Sequence, residues 1–545
     1  MVYSNVAGTA QDFEWPNERM AWLVHQCKNN PDQKIQYRTS AGRQEKSFLA
    51  FYEDVFAACC RFTVLIHEGA TSIAILAPPS YSWIVADLAA ACCGLTTYAL
   101  AEGWPPEVSQ SVLDEHGIDI LLTIKANAES IRAGRNFYFD AERHEVGYFD
   151  SVEKAQVPTA IKTLSSYYTV VFTSGTQSRA KSLQVHFPIN LQSEKNTPPT
   201  SSGTPTRVFI WMSFSHYIQR SLVLRALASG YGLVLSNSTY AITDLAESRA
   251  NYMVCAPEFY STLAWLIERR AEKRGWIGRK ILDIYTQTGL NRKAPGHWAR
   301  SLFETLFMQD IRSVYGGRAD YFMWNGSSIK RPTLETLDKY GLQVCGTYGI
   351  SEIGSISWDT RQTYKLGSVG IPQRAVRMSD DGQLLVKADD TVRDRRYLKI
   401  DSEGYIHTGD ICHYEGAHLY IDGRTDDIAV LSNGKNVRLF DLEAELCVCA
   451  GIRDAYIWTK DGQRLSAIVV KARAVKDKQI LSVLGSFNRR HPTHERIFEV
   501  TPVDDAIYNK PIWTTSRKII RSRVIELLVD HESLYCGTHV HGVEA

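Results

Sequence analysis

The chain has 545 residues, and its 44% hydrophobic and 22% charged content is that of an ordinary globular protein. This composition excludes a disordered, collagenous or coiled-coil chain, and the length allows three or four domains, or one large domain with a small one. With 61 Lys and Arg against 60 Asp and Glu, the formal net charge is +1, so overall charge indicates no nucleic-acid partner.

Neither a leader nor a membrane-spanning segment is expected. The first residues contain no basic region followed by an apolar core, and no apolar run reaches the length of about 18 residues that a bilayer requires. The cysteines include two adjacent pairs, Cys59-Cys60 and Cys92-Cys93, which lie in apolar helical sequence and read as buried free thiols. We therefore expect a protein of a reducing compartment, the cytoplasm.

In the first part of the chain, strands and helices alternate. The predicted order is strand Ser72–Ala77, helix Trp83–Cys93, strand Thr96–Leu100, helix Pro106–His116 and strand Ile118–Ile124, and further strands follow at Arg207–Met212, Gly232–Ser236 and Tyr252–Ala256. Strands separated by helices favour parallel pairing, so we expect sheets covered by helices on their faces.

After about residue 365 the sequence changes to short strands with Gly-Asp turns, which indicate a β-rich module. Beyond residue 426 it becomes α+β, with helices predicted at Asp441–Cys449 and Lys518–Val529 and strands at Ala455–Thr459 and Leu465–Lys471. The predicted fold is α/β: a large N-terminal domain (1–425) of mostly parallel sheets with helices plus the β-rich module, and a small, mobile α+β C-terminal domain (426–545).

The first motif that carries chemistry follows a β-branched and aromatic strand. There Thr173-Ser174-Gly175-Thr176 precedes Lys181. Hydroxyls and free backbone N–H groups on a glycine turn donate to phosphate oxygens, and a lysine adds positive charge. The spacing is not that of a Walker motif, and an ordinary Ser/Thr turn after a strand is the alternative.

A second strand leads into the small-residue sequence Gly346-Thr347-Tyr348-Gly349, which we predict to be a turn. An aromatic ring at Tyr348 suits a purine, Ser351 suits a phosphate, and the carboxylate of Glu352 suits a hard cation such as Mg²⁺. The alternative is a simple hairpin with a solvated glutamate.

A third motif, YIHTGD, places Asp410 at a predicted strand end, where a carboxylate suits the two hydroxyls of a ribose. Arg424, in IDGRTDD, can donate charge-assisted hydrogen bonds to sugar or phosphate oxygens. Common Gly-Asp turns are the alternative. A fourth segment, around Lys518, is basic and reads otherwise as the solvated start of a helix.

Taken in this order, the four segments resemble the adenylate-forming superfamily of acyl- and aryl-CoA ligases, peptide-synthetase adenylation domains and luciferases. TSGTQSRAKS (173–182) is similar to its TSGTTGxPKG loop, and YGISE (348–352) to its YGxTE. TGD (408–410) and GRTDD (423–427) match directly, and the segment around Lys518 matches PxTxxGKIxR loosely.

The resemblance implies an ATP-dependent reaction with Mg²⁺ in which a carboxylate attacks the α-phosphorus, pyrophosphate leaves, and a thiol then takes the acyl group. It implies that Glu352 holds Mg²⁺, that Lys518 is the catalytic lysine and that the small domain turns about Asp426. The implied nucleotide contacts are Thr173, Ser174, Gly175, Thr176, Lys181, Tyr348, Gly349, Ser351, Asp410 and Arg424.

Two regions depart from the family pattern. The phosphate loop has Gln177, Ser178, Ala180 and Ser182 where the family usually has Thr, Gly, Pro and Gly, and Arg517 replaces the glycine before the lysine. Fewer glycines reduce the loop's conformational freedom. A degenerate nucleotide-binding protein without activity is therefore an alternative to the enzyme.

The resemblance places His216 beside the substrate carboxylate, and capping of a helix start is its alternative. Trp211 and Trp324, with Gly326 and Ser327, fall near expected pocket positions, where bulky indoles would leave room only for a small acid; both could equally lie in the core. We expect a small carboxylic or amino acid, such as glycine, transferred to the phosphopantetheine thiol of a carrier protein in trans. The alternative is an acyl- or aryl-CoA ligase, fatty acyl included.

Overall fold

The structure, a computed structural model, describes most of the chain up to residue 507 and a few residues beyond. The described residues are 17–118, 120–124, 131, 133–138, 167–173, 181–187, 206–273, 308–389, 392–425, 428–432, 435–459, 462–472, 475–504, 506–507, 524, 527 and 534–535. Outside them lie the predicted phosphate-loop residues Ser174, Gly175 and Thr176, the hinge Asp426 and the lysine Lys518. Most of the predicted helix Lys518–Val529 also lies outside them.

The described strands are β1 Lys34–Thr39, β2 Gly42–Ser47, β3 Ser72–Leu76, β4 Thr96–Ala99, β5 Ile120–Thr123, β6 Arg135–Tyr138, β7 Thr169–Thr173, β8 Lys181–Val185, β9 Arg207–Ile210, β10 Gly232–Leu235, β11 Tyr252–Cys255, β12 Tyr321–Trp324, β13 Cys345–Ile350, β14 Gly354–Trp358, β15 Ile371–Pro372, β16 Val376–Met378, β17 Gln383–Lys387, β18 Tyr405–Glu415, β19 His418–Arg424, β20 Ile428–Val430, β21 Asn436–Arg438, β22 Ile452–Thr459, β23 Leu465–Lys471, β24 Ile497–Val503 and β25 Leu534–Tyr535.

The described α-helices are α1 Glu18–Asn29, α2 Phe48–His67, α3 Tyr81–Cys92, α4 Pro106–Glu115, α5 Tyr217–Ser229, α6 Ala241–Ser248, α7 Pro257–Glu272, α8 Gln309–Arg312, α9 Arg331–Lys339, α10 Leu439–Val448 and α11 Asp477–Arg490. Among them, none has the length and apolar content needed to cross a bilayer.

A six-stranded sheet is built from the first predicted strand–helix unit. Its order is β6-β5-β3-β4-β7-β8, with parallel pairs except for the antiparallel hairpin β7–β8 at one edge. Helix α3 covers it with every one of its residues buried, and Ser80 caps the helix by accepting a hydrogen bond from the backbone N–H of Trp83 at 3.2 Å. The parallel unit predicted from the sequence is present.

A nine-stranded sheet, β15-β14-β13-β12-β11-β9-β10-β1-β2, is the largest in the described chain. After β9 the chain passes through α5 to β10 on one side of β9, and after α6 it returns to β11 on the other side. The strand order thus reverses between β9 and β11. In open α/β sheets, ligands bind outside the carboxyl ends of the strands at such a reversal.

The later residues form smaller sheets: antiparallel β16–β19, the pair β20–β21, and the mixed sheet β22–β25. Two large apolar clusters consist of residues before 426, and a third is made of residues 429–500. The α/β class with a β-rich module and an α+β C-terminal part agrees with the sequence prediction. The two adjacent cysteine pairs are buried and free, as expected.

Candidate functional site

Three predicted nucleotide-binding residues from distant parts of the chain meet at one point. Asp410 in β18 lies directly opposite Arg424 in β19, whose Nη1 donates to Asp410 Oδ1 at 2.8 Å. The phenol of Tyr348, in β13, donates to Asp410 Oδ2 at 2.5 Å. The Asp410 side chain is 8% exposed. A phenol ring and a guanidinium are therefore assembled around one buried carboxylate.

The TGD motif has a local structural reason. Gly409 has φ = +76°, a conformation that favours glycine, and a Cβ there would approach Arg424 Nη2 to 2.9 Å. Thr408 Oγ1 accepts the backbone N–H of Asp410 at 3.1 Å and donates to the carbonyl of Leu384 at 2.8 Å. Asp410 is not at a strand end, as the sequence suggested, because β18 continues through the motif to Glu415.

The electrostatics of this group favour a neutral phenol at Tyr348. Burial raises the pKa of Tyr348 well above its ordinary value, the charge of Asp410 raises it further, and Arg424 only partly opposes this. A carboxylate offers about four acceptor sites. This one, oriented by Tyr348 and Arg424, suits two neighbouring hydroxyls, such as those of a ribose.

The hairpin β13–β14 carries Ser351 and Glu352 at its turn. The sequence prediction of a turn at residues 346–349 was wrong, since β13 runs on to Ile350 and the turn follows it. Gly349 is required in the strand because a Cβ would lie 2.4 Å from the carbonyl oxygen of Gly354. Ser351 is exposed and Glu352 half-buried, so both remain reachable from solvent.

The strands on either side of the predicted phosphate loop pair with each other. Thr173 at the end of β7 pairs with Lys181 at the start of β8. The residues between them lie outside the described part of the chain, but both ends of the loop are fixed by this pair. Near the loop, Asp394 Oδ2 accepts the backbone N–H of Gln184 at 3.2 Å, and its own N–H donates to the carbonyl of Glu352 at 3.2 Å. The hairpin and the Glu352 turn are therefore close neighbours.

His216 is the residue before α5, on the loop that follows the carboxyl end of β9. Its backbone N–H donates to the carbonyl of Ser213 at 3.1 Å, and its side chain makes no capping hydrogen bond to the helix. The capping alternative is therefore not seen. His216 lies at the strand-order reversal between β9 and β11, where a ligand crevice is expected.

The two tryptophans lie on the other face of the nine-stranded sheet. Trp211 packs against Phe259 of α7, with ring centroids 4.9 Å apart, and Trp324 is buried in the same apolar cluster. Phe214 and Tyr217, at the start of α5, belong to the opposite cluster. This placement matches the core alternative for both indoles. Beyond β12, Gly326 is exposed with φ = +93° and Ser327 is half-buried.

Sequence reasoning missed a buried ionic group between α3, α5 and β7. Arg220 donates from Nε to Asp87 Oδ2 at 3.0 Å and from Nη1 to Thr169 Oγ1 at 2.6 Å. Tyr168 donates its phenol to the same carboxylate. Desolvation would lower the pKa of Arg220, but Asp87 more than offsets it and the pKa is raised. The available signal was the lone aspartate of α3, a helix with little other polar content.

No cluster of three or more His, Cys, Asp or Glu side chains suited to a metal ion occurs in the described ranges. Magnesium in nucleotide-dependent enzymes usually takes one or two protein carboxylates and completes its shell with phosphates and water. A single reachable carboxylate such as Glu352 fits that pattern.

Comparison with known proteins gives a consistent family. Residues 23–388, more than half of the chain, match the family described as AMP-binding enzyme. A long-chain-fatty-acid–CoA ligase, FadD15 of Mycobacterium bovis, is 24% identical over 420 residues, which are 70% of this chain and 69% of that protein. A 2-succinylbenzoate–CoA ligase of Bacillus cereus is 30% identical over 181 residues, 29% of this chain and 37% of that protein.

Among solved structures, the O-succinylbenzoate coenzyme A synthetase of Bacillus subtilis, in complex with ATP and magnesium ion, has the same fold. Its TM-score is 0.67 at 16% identity, over 92% of this chain and 98% of that chain.

Proposed function

The chain belongs to the AMP-binding enzyme family, and on that premise we propose that it is an ATP-dependent acid–thiol ligase that makes acyl- or aryl-coenzyme A. The carboxylate of the acid attacks the α-phosphorus of ATP, pyrophosphate leaves, and the thiol of coenzyme A then displaces AMP from the acyl adenylate. The convergence of Tyr348 and Arg424 on Asp410 is the observation that carries this proposal.

Each residue has a task in this reaction. Asp410 accepts hydrogen bonds from the ribose hydroxyls, and Tyr348 places its ring, anchored by its hydroxyl, beside adenine. The β7–β8 hairpin with Lys181 lies along the phosphates, and Glu352 holds Mg²⁺, which neutralises charge on the phosphates. Lys518 supplies positive charge to the pentavalent phosphorus, and His216 faces the substrate carboxylate.

Coenzyme A replaces the carrier protein as the preferred acceptor, because the named relatives are CoA ligases of fatty acids and of 2-succinylbenzoate. The expectation of a small acid such as glycine loses its structural reason, since Trp211 and Trp324 pack on the α7 face of the sheet. We therefore propose larger acyl or aryl acids as substrates.

The domain arrangement is part of the same proposal. We propose a large domain (1–425) and a small domain (426–545) that turns about Asp426 between the two half-reactions. This motion would withdraw Lys518 after adenylation and admit the thiol.

The test is carboxylate-dependent exchange of labelled pyrophosphate into ATP, with fatty, aryl and amino acids, followed by detection of the CoA thioester. Wild-type protein should exchange with at least one fatty or aryl acid and form its thioester. Asp410→Asn should lose most of the exchange, whereas Asp422→Asn, on the adjacent strand and paired with His413, should not. ATP binding without exchange by any acid would instead favour the degenerate binding protein.

A further inference from the structure

A short charged segment, Arg393-Asp394-Arg395-Arg396, lies between the two hairpins of the candidate site; we call it the charged segment. The backbone N–H groups of Arg393 and Asp394 both donate to the carbonyl of Glu352, at 2.8 and 3.2 Å. This fixes the charged segment against the turn that presents Glu352.

Two side chains of the charged segment hold the other hairpin. Among the described strands, β8 is at the edge of its sheet, and none of them pairs with its outer backbone groups. Asp394 Oδ2 accepts the N–H of Gln184 at 3.2 Å, and Arg396 Nη2 donates to the carbonyl of Ser182 at 2.9 Å. These two side chains therefore take the place of an adjacent strand beside the end of the phosphate loop.

The two side chains also hold each other in a fixed geometry. Arg396 donates from Nε to Asp394 Oδ1 at 3.0 Å and from Nη2 to Oδ2 at 2.6 Å, a two-point fork. The Asp394 side chain is only 4% exposed. Desolvation alone would raise the pKa of Asp394, but the hydrogen bonds from Arg396 and Gln184 and the charge of Arg396 together lower the pKa. Asp394 is thus a buried, ionised acceptor whose two carboxylate oxygens are held in fixed directions by their donors.

The charged segment also reaches a third element of the site. The Arg393 guanidinium lies over the ring of Tyr217, 4.7 Å from its centroid, where α5 begins next to His216. Its Nη1 is 3.4 Å from the carbonyl oxygen of Ser351. The start of α5, the Glu352 turn and β8 are therefore joined through four consecutive residues.

We propose that Asp394 is a positioning residue for adenylation. Together with Arg396 it holds the β7–β8 hairpin at a fixed position relative to the Glu352 turn, so that both contact the same polyphosphate. This rests on the proposed function, because it assigns the phosphates of ATP to that hairpin. Small misplacements of groups that bind a reacting phosphate reduce rate strongly, so such a support matters for chemistry as well as for stability.

The experiment compares Asp394→Asn with a matched aspartate. Asp401 accepts the backbone N–H groups of Glu403 and Tyr405 and pairs with Arg377, but none of these partners belongs to β8 or the Glu352 turn. Both variants replace one carboxylate oxygen by an N–H donor. Calorimetric affinities for ATP and AMP, the KM for ATP and kcat in pyrophosphate exchange, and the unfolding temperature would be measured for each.

Asp394→Asn should weaken ATP binding roughly tenfold, the effect of one lost charge-assisted hydrogen bond, and should lower kcat. AMP affinity should stay at the wild-type value, since AMP lacks the β- and γ-phosphates. Asp401→Asn should leave both nucleotides and kcat unchanged. Equal losses for ATP and AMP, or kinetics equal to those of Asp401→Asn, would overturn the proposal.

A second variant keeps the test decisive if Asp394→Asn does not fold. Arg396 is 47% exposed, and Arg396→Gln removes the fork and the contact with Ser182 from the surface side. The same selective loss of ATP affinity is expected, and an unchanged ATP affinity would overturn the proposal. Absence of exchange by wild-type protein would count against the proposed function alone, because the ratio of ATP to AMP affinity is measured without an acid.

Discussion

Asp410 shows how much of the proposed chemistry depends on single side chains. Its two oxygens already accept hydrogen bonds from Tyr348 and Arg424. The acid is therefore oriented before any nucleotide arrives, and binding does not have to provide the free energy of ordering it.

Tyr348→Phe tests this arrangement. Removing the phenol hydroxyl leaves the ring in place but takes one donor from Asp410, which is worth about 1 kcal/mol. We expect calorimetry to show ATP and AMP binding weakened by roughly fivefold, the fold-change that this energy gives. Tyr414→Phe, in the exposed end of β18, is the control. Unchanged affinity for both nucleotides in Tyr348→Phe would mean that the hydroxyl has no part in binding.

Lys518 is placed by the resemblance, and its role is a prediction. Lys518→Ala should abolish adenylate formation, because no other group is assigned to stabilise charge on the pentavalent phosphorus. Arg517→Ala is the neighbouring control and should retain exchange. Pyrophosphate exchange at the wild-type rate in Lys518→Ala would remove this assignment.

Among individual residues, the sequence identified those that stand in recognisable motifs and missed those that hold other parts of the site in place. Tyr348, Asp410 and Arg424 stand in motifs, whereas the proposed role of Asp394 rests on its contact with Gln184, 210 positions away in the chain. The spacing of residues within a local stretch of sequence does not predict a contact between positions so far apart. From sequence alone, a charged run such as residues 393–396 is interpreted as a solvent-exposed surface, because the edge strand beside it is brought there only by the fold.

Among the elements, the β18–β19 hairpin has the most direct link to the site. Gly409 and Gly416 both have positive φ, +76° and +64°, but only a Cβ at Gly409 would contact Arg424, at 2.9 Å from Nη2. Substitutions at these two glycines can therefore distinguish the effect of backbone strain alone from the effect of strain combined with displacement of Arg424.

Gly409→Ala and Gly416→Ala should each lower the free energy of unfolding by about 1–2 kcal/mol, the cost of a left-handed conformation for a residue with a Cβ. Only Gly409→Ala should also weaken ATP binding, because Arg424 must move away from Asp410. Urea unfolding and calorimetry measure the two effects. Equal nucleotide affinity in the two variants would contradict the role given to Arg424.

The buried pair Asp87–Arg220 joins α3 to α5, and Arg220 also donates to Thr169 of β7. Arg220→Met alone leaves a buried carboxylate without its partner and should cost about 3–5 kcal/mol of unfolding free energy. Asp87→Asn combined with Arg220→Met should recover much of that loss, because the uncompensated charge is gone. Urea unfolding of both singles and the double gives the coupling. Additive effects would show that the two side chains are not energetically paired.

Element positions followed well from sequence where periodicity was strong. Strand Leu465–Lys471 and helices α3 and α4 lie within two residues of their predicted bounds. The errors fell at Gly346–Gly349 and at Asp410, where small residues were read as turns. In both places the glycines lie inside long strands, where they permit the close approach of neighbouring groups and a β-bulge. These requirements come from the neighbouring strands and are not visible in the local sequence.

For the molecule as a whole, the apolar clusters suggest two folding units. In the described residues no cluster combines side chains from before residue 426 with those after it. The carbonyl of Arg453 accepts a hydrogen bond from Lys330 at 3.2 Å, and Lys330 also pairs with Asp454. Half-exposed ion pairs of this kind contribute little to stability.

A fragment of residues 428–545 should therefore fold by itself. We expect dispersed amide resonances and a cooperative urea transition from it, since its third cluster closes around β22–β24, α10 and α11. A fragment without cooperative unfolding would mean that the boundary at 425 and 426 does not separate independent units.

The central claim is that separate segments of the chain converge on one nucleotide, and a crystal structure of the protein with ATP and Mg²⁺ tests it most directly. We predict the ribose hydroxyls within hydrogen-bonding distance of Asp410, the adenine beside the Tyr348 ring, and the phosphates between the β7–β8 hairpin and Glu352. ATP bound elsewhere, with no contact to Asp410, would contradict the account.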